Sequence, residues 1–196
     1  MNTINIIIEK VRKRFTEKEF KHALGVARTA EKLAISEGVS SKKAFLAGII
    51  HDFAKGMNKK KLRQIINDSD WKIDNLEYSL PEVLHAPAGA SLVKEEFGIY
   101  DKTVLAAIRF HTIGSPEMGD LSKIIFVADI IEPNRSFSEI DEIRKRVKEK
   151  LNLGVIAACT QSLIYNIEKN RLIHPNTLNL RNKLLKEEDY GEEVEK

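Results

Sequence analysis

The sequence predicts an all-α fold, arranged as a single domain of short helices. Apolar residues recur at the three- and four-residue spacing of helices, and the alternation typical of half-buried strands never persists. Aromatic residues, which are enriched in strands, make up only 7% of the 196 residues. A hydrophobic content of 42% and a charged content of 31% suit a globular domain with its own core.

Local start and stop signals support the division into helices. Ser40 and Ser41 can cap the third helix and Gly56 can close it, Asp101 can cap the seventh, and Pro133 can stop the eighth. The predicted helices cover residues 2–14, 17–37, 41–55, 58–68, 81–84, 87–97, 101–112, 120–132, 138–149, 152–170 and 177–187.

The predicted domain spans residues 1–185, and an acidic tail, which we expect to be frayed, follows at residues 186–196. This tail makes the rest of the chain more basic than the net charge of +3 suggests. A basic body is typical of an ordinary solvated surface, and it also suits an anionic small molecule or a nucleic acid.

The N-terminus and the cysteine content indicate a cytoplasmic protein. The sequence MNTINIIIEKVRKRF contains only three consecutive apolar residues before charges return, which is too short for a signal peptide or a membrane span. The single Cys159 permits no internal disulfide and no thiolate metal cluster. We expect it to be a buried, inert thiol.

Four of the five histidines border apolar stretches: His22, His51, His85 and His111. Two aspartates share that context, since Asp52 follows LAGIIH and Asp129 lies in KIIFVADIIEP. A buried carboxylate without a counter-charge costs several kcal/mol, and a bound cation removes that cost. Two interpretations stay open on the residues alone: a metal site with nitrogen and oxygen ligands, or a buried hydrogen-bonded His–Asp network.

Five motifs, in order, resemble a known family. His22, then His51-Asp52, then Asp129 in a helical chain resembles the HD-domain metal-dependent phosphohydrolases. The segments HALGV, HDFAK, LHAPAGA, IRFHTIG and VADIIEPNR are similar to those of the YqeK family over most of residues 5–180. The resemblance implies an HD-domain helical bundle with a metal site at its centre. It also implies a symmetrical diadenosine tetraphosphate hydrolase.

The resemblance assigns roles to particular positions. It implies that His22, His51, Asp52 and Asp129 bind the metal, with iron as the ion associated with the family. Mn, Co or Zn also suit these ligands. A second ion would bind to His85 and His111, with Asp52 bridging. The implied catalytic residues are Asp52, Lys55, His85 and His111. The implied substrate contacts are His22, Asp52, Lys55, His85, His111, Thr112, Asp129, Arg135 and His174.

One position departs from the family pattern, because Glu19 stands three residues before His22, where family members carry an arginine. That phosphate contact is therefore not carried over to this chain.

The expected reaction is attack by a metal-bound hydroxide on a phosphorus of diadenosine tetraphosphate (Ap4A), giving two ADP. Another HD phosphohydrolase is the enzymatic alternative, either a 5'-nucleotidase or a hydrolase of guanosine polyphosphate alarmones. A nucleic-acid-binding helical module is the alternative from a different class, but it leaves the buried Asp129 unexplained. The apolar C-terminal helices leave room for a homodimer, and no membrane partner is expected.

Overall fold

The structure is a computed structural model that describes residues 3–188. Every regular element within these residues is an α-helix, so the predicted all-α fold is confirmed. The helices are α1 (Thr3–Arg14), α2 (Glu17–Ser36), α3 (Ser41–Ile50), α4 (Lys59–Asn67), α5 (Asn75–Ser79), α6 (His85–Phe97), α7 (Lys102–Phe110), α8 (Asp120–Ile131), α9 (Ile140–Glu149), α10 (Leu151–Glu168) and α11 (Pro175–Glu187).

The predicted helix at residues 81–84 is wrong. Those residues form a turn, and the short helix α5 precedes them. The Asp74 side chain caps α5 by accepting a hydrogen bond from the Glu77 amide at 2.8 Å. The buried Glu77 carboxylate in turn accepts from Arg109 of α7 at 2.7 Å. This ion pair joins residues far apart in sequence, so local periodicity did not reveal it.

The third helix ends earlier than predicted, at Ile50 rather than residue 55. Residues 51–56 form turns, and Gly56 closes them with a left-handed φ of 77°. Asp52 therefore lies in a turn and not on a helix.

Two predicted N-caps are found where the structure begins its helices. Ser40 accepts from the Lys43 amide at the start of α3, and Asp101 accepts from the Thr103 and Val104 amides at the start of α7. Helix α11 extends to Glu187, two residues past the predicted domain end. Residues 189–196 of the predicted tail lie outside the described residues.

Helix α3 lies at the centre of the fold and packs against α1, α2, α7 and α8. Its approach to α2 is close because Gly48 has no side chain; a Cβ there would be 2.6 Å from the Cα of Ala27. The sequence His51-Asp52 therefore follows directly from the buried C-terminal end of a central helix.

Cys159 is buried in α10, and burial raises the pKa of its thiol to about 12. The expectation of an inert thiol agrees with this environment. Among residues 3–188, no helix is both long enough and apolar enough to cross a membrane.

Candidate metal centre

Four histidine rings from four different segments meet near the centre of the domain. His22 lies within α2, His51 and His111 directly follow α3 and α7, and His85 begins α6. The ring centroids of His22 and His51 are 5.3 Å apart, and those of His51 and His111 are 5.0 Å apart. The structure thus brings together all four histidines that the sequence placed beside apolar stretches.

Backbone carbonyl groups orient three of these rings. In His51, His111 and His85, Nδ1 lies 2.7, 2.7 and 2.8 Å from the carbonyl oxygen three residues earlier. A carbonyl oxygen can only accept, so Nδ1 carries the proton and Nε2 of a neutral ring presents its lone pair. His51 and His111 do this at the C-terminal ends of α3 and α7, where the helix dipole favours a cation.

Asp52 connects two groups of histidines. Its Oδ2 lies 3.3 Å from Nε2 of His51 and 3.8 Å from Nε2 of His22. Its Oδ1 lies 3.1 Å from Nε2 of His85 and 3.4 Å from Nε2 of His111. The side chain is only 5% exposed. One carboxylate therefore faces both pairs of rings.

Asp129 completes the cluster from α8. Its Oδ1 lies 3.0 Å from Nε2 of His22 and 3.9 Å from Nε2 of His51. Its side chain is 19% exposed, so its open side faces a cavity. Ligand atoms close enough for one ion are found in two sets: His22, His51 and Asp129, and also His51, Asp52 and His111.

The buried polar atoms of this cluster fit a bound cation. Nε2 of His22, Nε2 of His51 and Oδ1 of Asp52 are all buried without a hydrogen-bond partner. Unpaired buried acceptors are rare in proteins because each costs about 1–3 kcal/mol. Imidazole nitrogens and carboxylate oxygens are the ligands that divalent transition metals use, and the Nδ1 contacts supply the orientation that such ligands need. The cluster is therefore a candidate divalent-metal site.

Both carboxylates of the cluster are held in the charged form. Burial by itself would raise the pKa of Asp52, but His51, His111 and His85 outweigh burial and keep the pKa well below its usual range. Burial opposes the charge of Asp129 in the same way, and its contacts with His22, His51 and Arg135 lower its pKa. Two ionised carboxylates among four imidazoles give this interior a strong affinity for positive charge.

Two basic side chains border the cluster, and each contacts a different carboxylate. Nζ of Lys55 lies 2.6 Å from Oδ2 of Asp52. Arg135 donates to Oδ1 of Asp129 at 2.8 Å and to the Asp129 backbone carbonyl at 3.1 Å. Both side chains are more than two-fifths exposed, so their charges can also reach an anion at the surface.

A cavity of about 550 Å³ opens beside the cluster. Its wall includes the predicted site residues His111, Thr112, Asp129 and Arg135. The Thr112 hydroxyl is buried without a hydrogen-bond partner. The remaining wall is provided by α8, α10 and the loops around them: Phe126, Ile130, Phe137, Ala158, Gln161, Ser162, Tyr165, Asn166 and Arg171.

The structure places His174 apart from the histidine cluster. Its Nδ1 accepts from the Asn176 amide at the start of α11, and its Nε2 lies 2.8 Å from Asp74. It lines a smaller cavity of about 70 Å³, which also has Thr112 in its wall. The ring thus has a capping role in the fold, and its predicted contact with substrate stays a prediction.

Glu19 has a structural role at the start of α2. Its carboxylate accepts hydrogen bonds from the Thr16 amide and hydroxyl at 2.8 and 2.7 Å. The Thr16 side chain accepts from the Glu19 amide, which completes a capping box. An acid at this position therefore stabilises the helix that carries His22, and it supplies no phosphate contact.

Sequence reasoning missed Glu132, which belongs to the same cluster. Its Oε1 lies 3.0 Å from Nδ1 of His22, and the residue is only 1% exposed. It also missed the cavity wall from α10. A charged residue directly after the apolar helix KIIFVADII was the available signal for Glu132. The α10 side chains carried no signal, because they reach the cavity only through tertiary packing.

An all-helical domain that gathers His, His-Asp and Asp around one centre is the HD class of metal-binding domain, and residues 20–134 match the HD domain family. The chain is 43% identical over 181 residues to the protein named "Bis(5'-nucleosyl)-tetraphosphatase, symmetrical" from Halalkalibacterium halodurans, covering 92% of this chain and 96% of that protein. It is 42% identical over 167 residues to the protein of the same name from Bacillus subtilis, covering 85% and 89%.

A solved structure has the same fold. The crystal structure of a predicted HD superfamily hydrolase involved in NAD metabolism from Clostridium acetobutylicum superposes with a TM-score of 0.90 and 36% identity, covering 94% of this chain and 97% of that one. The chain belongs to the HD-domain family, in its YqeK branch. The family resemblance drawn from the sequence motifs is confirmed.

Proposed function

We propose that this protein is a metal-dependent hydrolase that cleaves diadenosine tetraphosphate symmetrically into two ADP. One observation carries the proposal: unpaired imidazole and carboxylate ligands converge at the edge of a cavity of about 550 Å³, with a basic side chain on each carboxylate. That volume falls in the range of about 300–1,000 Å³ typical of small-molecule sites. The names of the two bacterial relatives narrow the proposed substrate to a dinucleoside tetraphosphate.

The proposed metal ligands are His22, His51, Asp52 and Asp129, with iron as the proposed ion. This donor set of nitrogen and oxygen also suits manganese, cobalt and zinc. When bound, such an ion lowers the pKa of a coordinated water and polarises phosphoryl oxygens. A second ion would be held by His85 and His111, with Asp52 shared between the two positions because its two oxygens face different pairs of rings.

The chain's own side chains bind and orient the phosphates in this proposal. Arg135 and Lys55 lie against different carboxylates of the cluster, where they can neutralise non-bridging phosphate oxygens. His111 and Thr112 occupy the boundary between the cluster and the cavity. The buried Asp52 carboxylate would orient the attacking water or accept its proton.

A symmetrical reaction follows from a single diphosphate-sized pocket. If the cavity holds one nucleoside diphosphate half of the substrate, the bond beside the cluster is the one between the two central phosphates. Because Ap4A has two identical halves, either half can occupy the cavity and the products are the same.

Product analysis tests this function directly. Purified protein incubated with Ap4A is expected to form ADP alone, and formation of AMP plus ATP would contradict symmetrical cleavage. Guanosine tetraphosphate and nucleoside monophosphates serve as comparison substrates for the alternative HD activities. Removal of metal with a chelator should abolish the reaction, and added divalent metal should restore it.

Two further expectations stay predictions. One is the cytoplasmic location. The other is the homodimer, for which the exposed apolar side chains at the end of α10 and the start of α11 offer a surface to test: Ile164, Ile167, Leu172 and Leu178.

A further inference from the structure

Glu132 is a buried acid whose position is unusual, because it follows the apolar helix α8 and is 1% exposed. Its Oε1 lies 3.0 Å from Nδ1 of His22, a residue 110 positions earlier in the chain. Buried acids are costly unless they are hydrogen-bonded. The contact with His22 therefore indicates a specific task for this carboxylate.

Three donors converge on the Glu132 carboxylate. Oε1 faces Nδ1 of His22, while Oε2 accepts from both the backbone amide and the side-chain amide of Asn134, each at 2.7 Å. The two amides of Asn134 can only donate, so Oε2 acts as their acceptor. Oε2 is fully engaged with Asn134, so Oε1 is fixed as an acceptor for the His22 ring.

The Glu132 carboxylate occupies space that a side chain at position 25 of α2 would fill. Gly25 lies one turn after His22 on α2, and a Cβ at this position would collide with Oε2 of Glu132. The same Cβ would lie 3.1 Å from Nδ2 of Asn134. The absence of a side chain at Gly25 thus creates the space that Glu132 occupies.

The backbone around Glu132 is held by a single arginine from α9. Arg144 donates to the carbonyl oxygens of Ile131 and Glu132, each at 3.2 Å, and to that of Arg135 at 3.4 Å. The Ile131 carbonyl belongs to the last turn of α8, where helices leave acceptors without intrahelical partners, and the Glu132 carbonyl also accepts from the Arg135 amide at 3.0 Å. Arg144 therefore anchors the segment that positions Glu132.

We propose that Glu132 is the positioning residue for His22, holding its ring as the tautomer with the proton on Nδ1 and the lone pair of Nε2 directed at the metal. This inference rests on the proposed metal role of His22. Nε2 of His22 is buried and unpaired, 3.0 Å from Asp129, so the correct tautomer matters at this atom. Replacement of an acid that supports a metal-binding histidine typically costs 10- to 100-fold in metal affinity.

The direct test replaces the acid by its amide, Glu132→Gln. Asn134 directs two donors at the Oε2 position, so the oxygen of the Gln amide stays there and its nitrogen faces His22. The ring must then accept at Nδ1 and carry its proton on Nε2. In metal-stripped protein, at a pH where the ring is neutral, long-range nitrogen–proton NMR spectra of labelled histidine report the tautomer. We expect Nδ1–H in the wild type and loss of that state at His22 in Glu132→Gln. Retention of the wild-type tautomer would overturn the inference.

Binding of Mn²⁺, followed by the electron paramagnetic resonance signal of the free ion, provides a second measurement. Glu132→Gln is expected to weaken binding roughly 10- to 100-fold. In a His22→Ala background the same replacement should cause no further loss, because Glu132 acts through His22. An additive loss would contradict the proposal.

Matched variants separate this effect from general destabilisation. Glu77→Gln also alters a buried acid, one that pairs with Arg109, and it should lower stability while leaving the Mn²⁺ affinity unchanged. If Glu132→Gln does not fold, Gly25→Ala displaces the same carboxylate without removing any polar group. Gly25→Ala should weaken Mn²⁺ binding, and wild-type affinity in that variant would count against the inference.

The outcome is independent of the proposed reaction. A protein with the expected tautomer and Mn²⁺ affinities that fails to cleave Ap4A would overturn the proposed function and support the role of Glu132. If the wild-type protein forms ADP from Ap4A but Glu132→Gln keeps the wild-type tautomer, the proposed function is supported and the role of Glu132 is overturned.

Discussion

Nε2 of His85 lies 3.1 Å from Nε2 of His111, although Nδ1 of each ring is already bound to a backbone carbonyl. In two neutral rings these Nε2 atoms are both acceptors, and two acceptors at this distance repel each other. A proton or a metal ion shared with Oδ1 of Asp52, 3.1 and 3.4 Å away, relieves that repulsion. We propose this pair as the half of the cluster that holds a second ion, or a phosphate oxygen where the rings share a proton.

Replacement of His111 tests that half of the cluster. His111→Ala leaves the set of His22, His51 and Asp129 complete, so at least one metal ion should remain bound. Its kcat should fall roughly 100-fold or more, because a group that stabilises the transition state is lost. Metal content per chain and steady-state kinetics with Ap4A measure the two effects. Unchanged kinetics would exclude the proposed role of His111 on the phosphates.

Replacement of Asp129 tests the half of the cluster formed by His22, His51 and Asp129. We expect Asp129→Ala to lose metal and activity together, because Oδ1 of Asp129 is the oxygen nearest to Nε2 of His22. Elemental analysis and product formation from Ap4A provide the measurement. Asp70→Ala, at a side chain that is 95% exposed, is the matched control and should retain both. Full metal content and turnover in Asp129→Ala would remove this residue from the ligand set.

Replacement of Lys55 tests whether the basic side chains beside the cluster contribute to catalysis. Lys55→Met should lower kcat/KM roughly 100-fold, since the cation on Asp52 and its charge toward the phosphates are both lost. Lys55→Arg should recover part of the rate because it keeps the charge. Lys60→Met removes an exposed lysine of α4 and should leave kcat/KM as in the wild type. Equal losses in Lys55→Met and Lys60→Met would show only a general effect of net charge.

Close packing of α2 on α3 predicts a stability effect at Gly48. Gly48→Ala places a Cβ 2.6 Å from the Cα of Ala27, so the two helices must move apart. We expect this to lower the free energy of unfolding, measured in urea, by about 1–3 kcal/mol. Gly89→Ala is the matched control in α6, where the new Cβ would meet Ile108 at an ordinary 3.6 Å. Helix propensity should make Gly89→Ala neutral or stabilising by up to about 1 kcal/mol. A Gly48→Ala protein as stable as the wild type would contradict the close approach.

The lowered pKa of Asp101 predicts a pH-dependent contribution to the free energy of unfolding. Hydrogen bonds from Lys43, then Thr103, lower the pKa of this carboxyl below its ordinary value of 3.8. Because the pKa is lower in the folded state, the contribution is present above about pH 4 and is lost as the pH falls below that. Asp101→Asn keeps the helix cap and removes the charge, so it should be less stable than the wild type by a few tenths of a kcal/mol at pH 7. This difference, measured by urea unfolding, should shrink steadily as the pH falls from 4 to 2, and a constant difference would contradict the assignment.

Much of the architecture could be predicted from local sequence. The helix starts at Ser40 and Asp101 depend on side chains that bond to amides two or three residues later, so the pattern is visible in the sequence. The short helix α5 was missed because its stability depends on the buried Glu77–Arg109 pair, which joins segments 32 residues apart. The early end of α3 was missed because His51 bonds to the carbonyl of Gly48 and the chain then turns.

The sequence by itself determined the class of the protein, since His22, His51-Asp52 and Asp129 occur in ordered motifs within or directly after apolar segments. Only the tertiary structure decided how these groups are arranged: that Asp52 faces two pairs of rings, and that Glu132 meets His22 across 110 residues. It also decided that His174 caps α11 at a distance from the cluster. The physical reason is that burial and helix formation depend on neighbours in the chain, whereas ligand geometry depends on how helices pack.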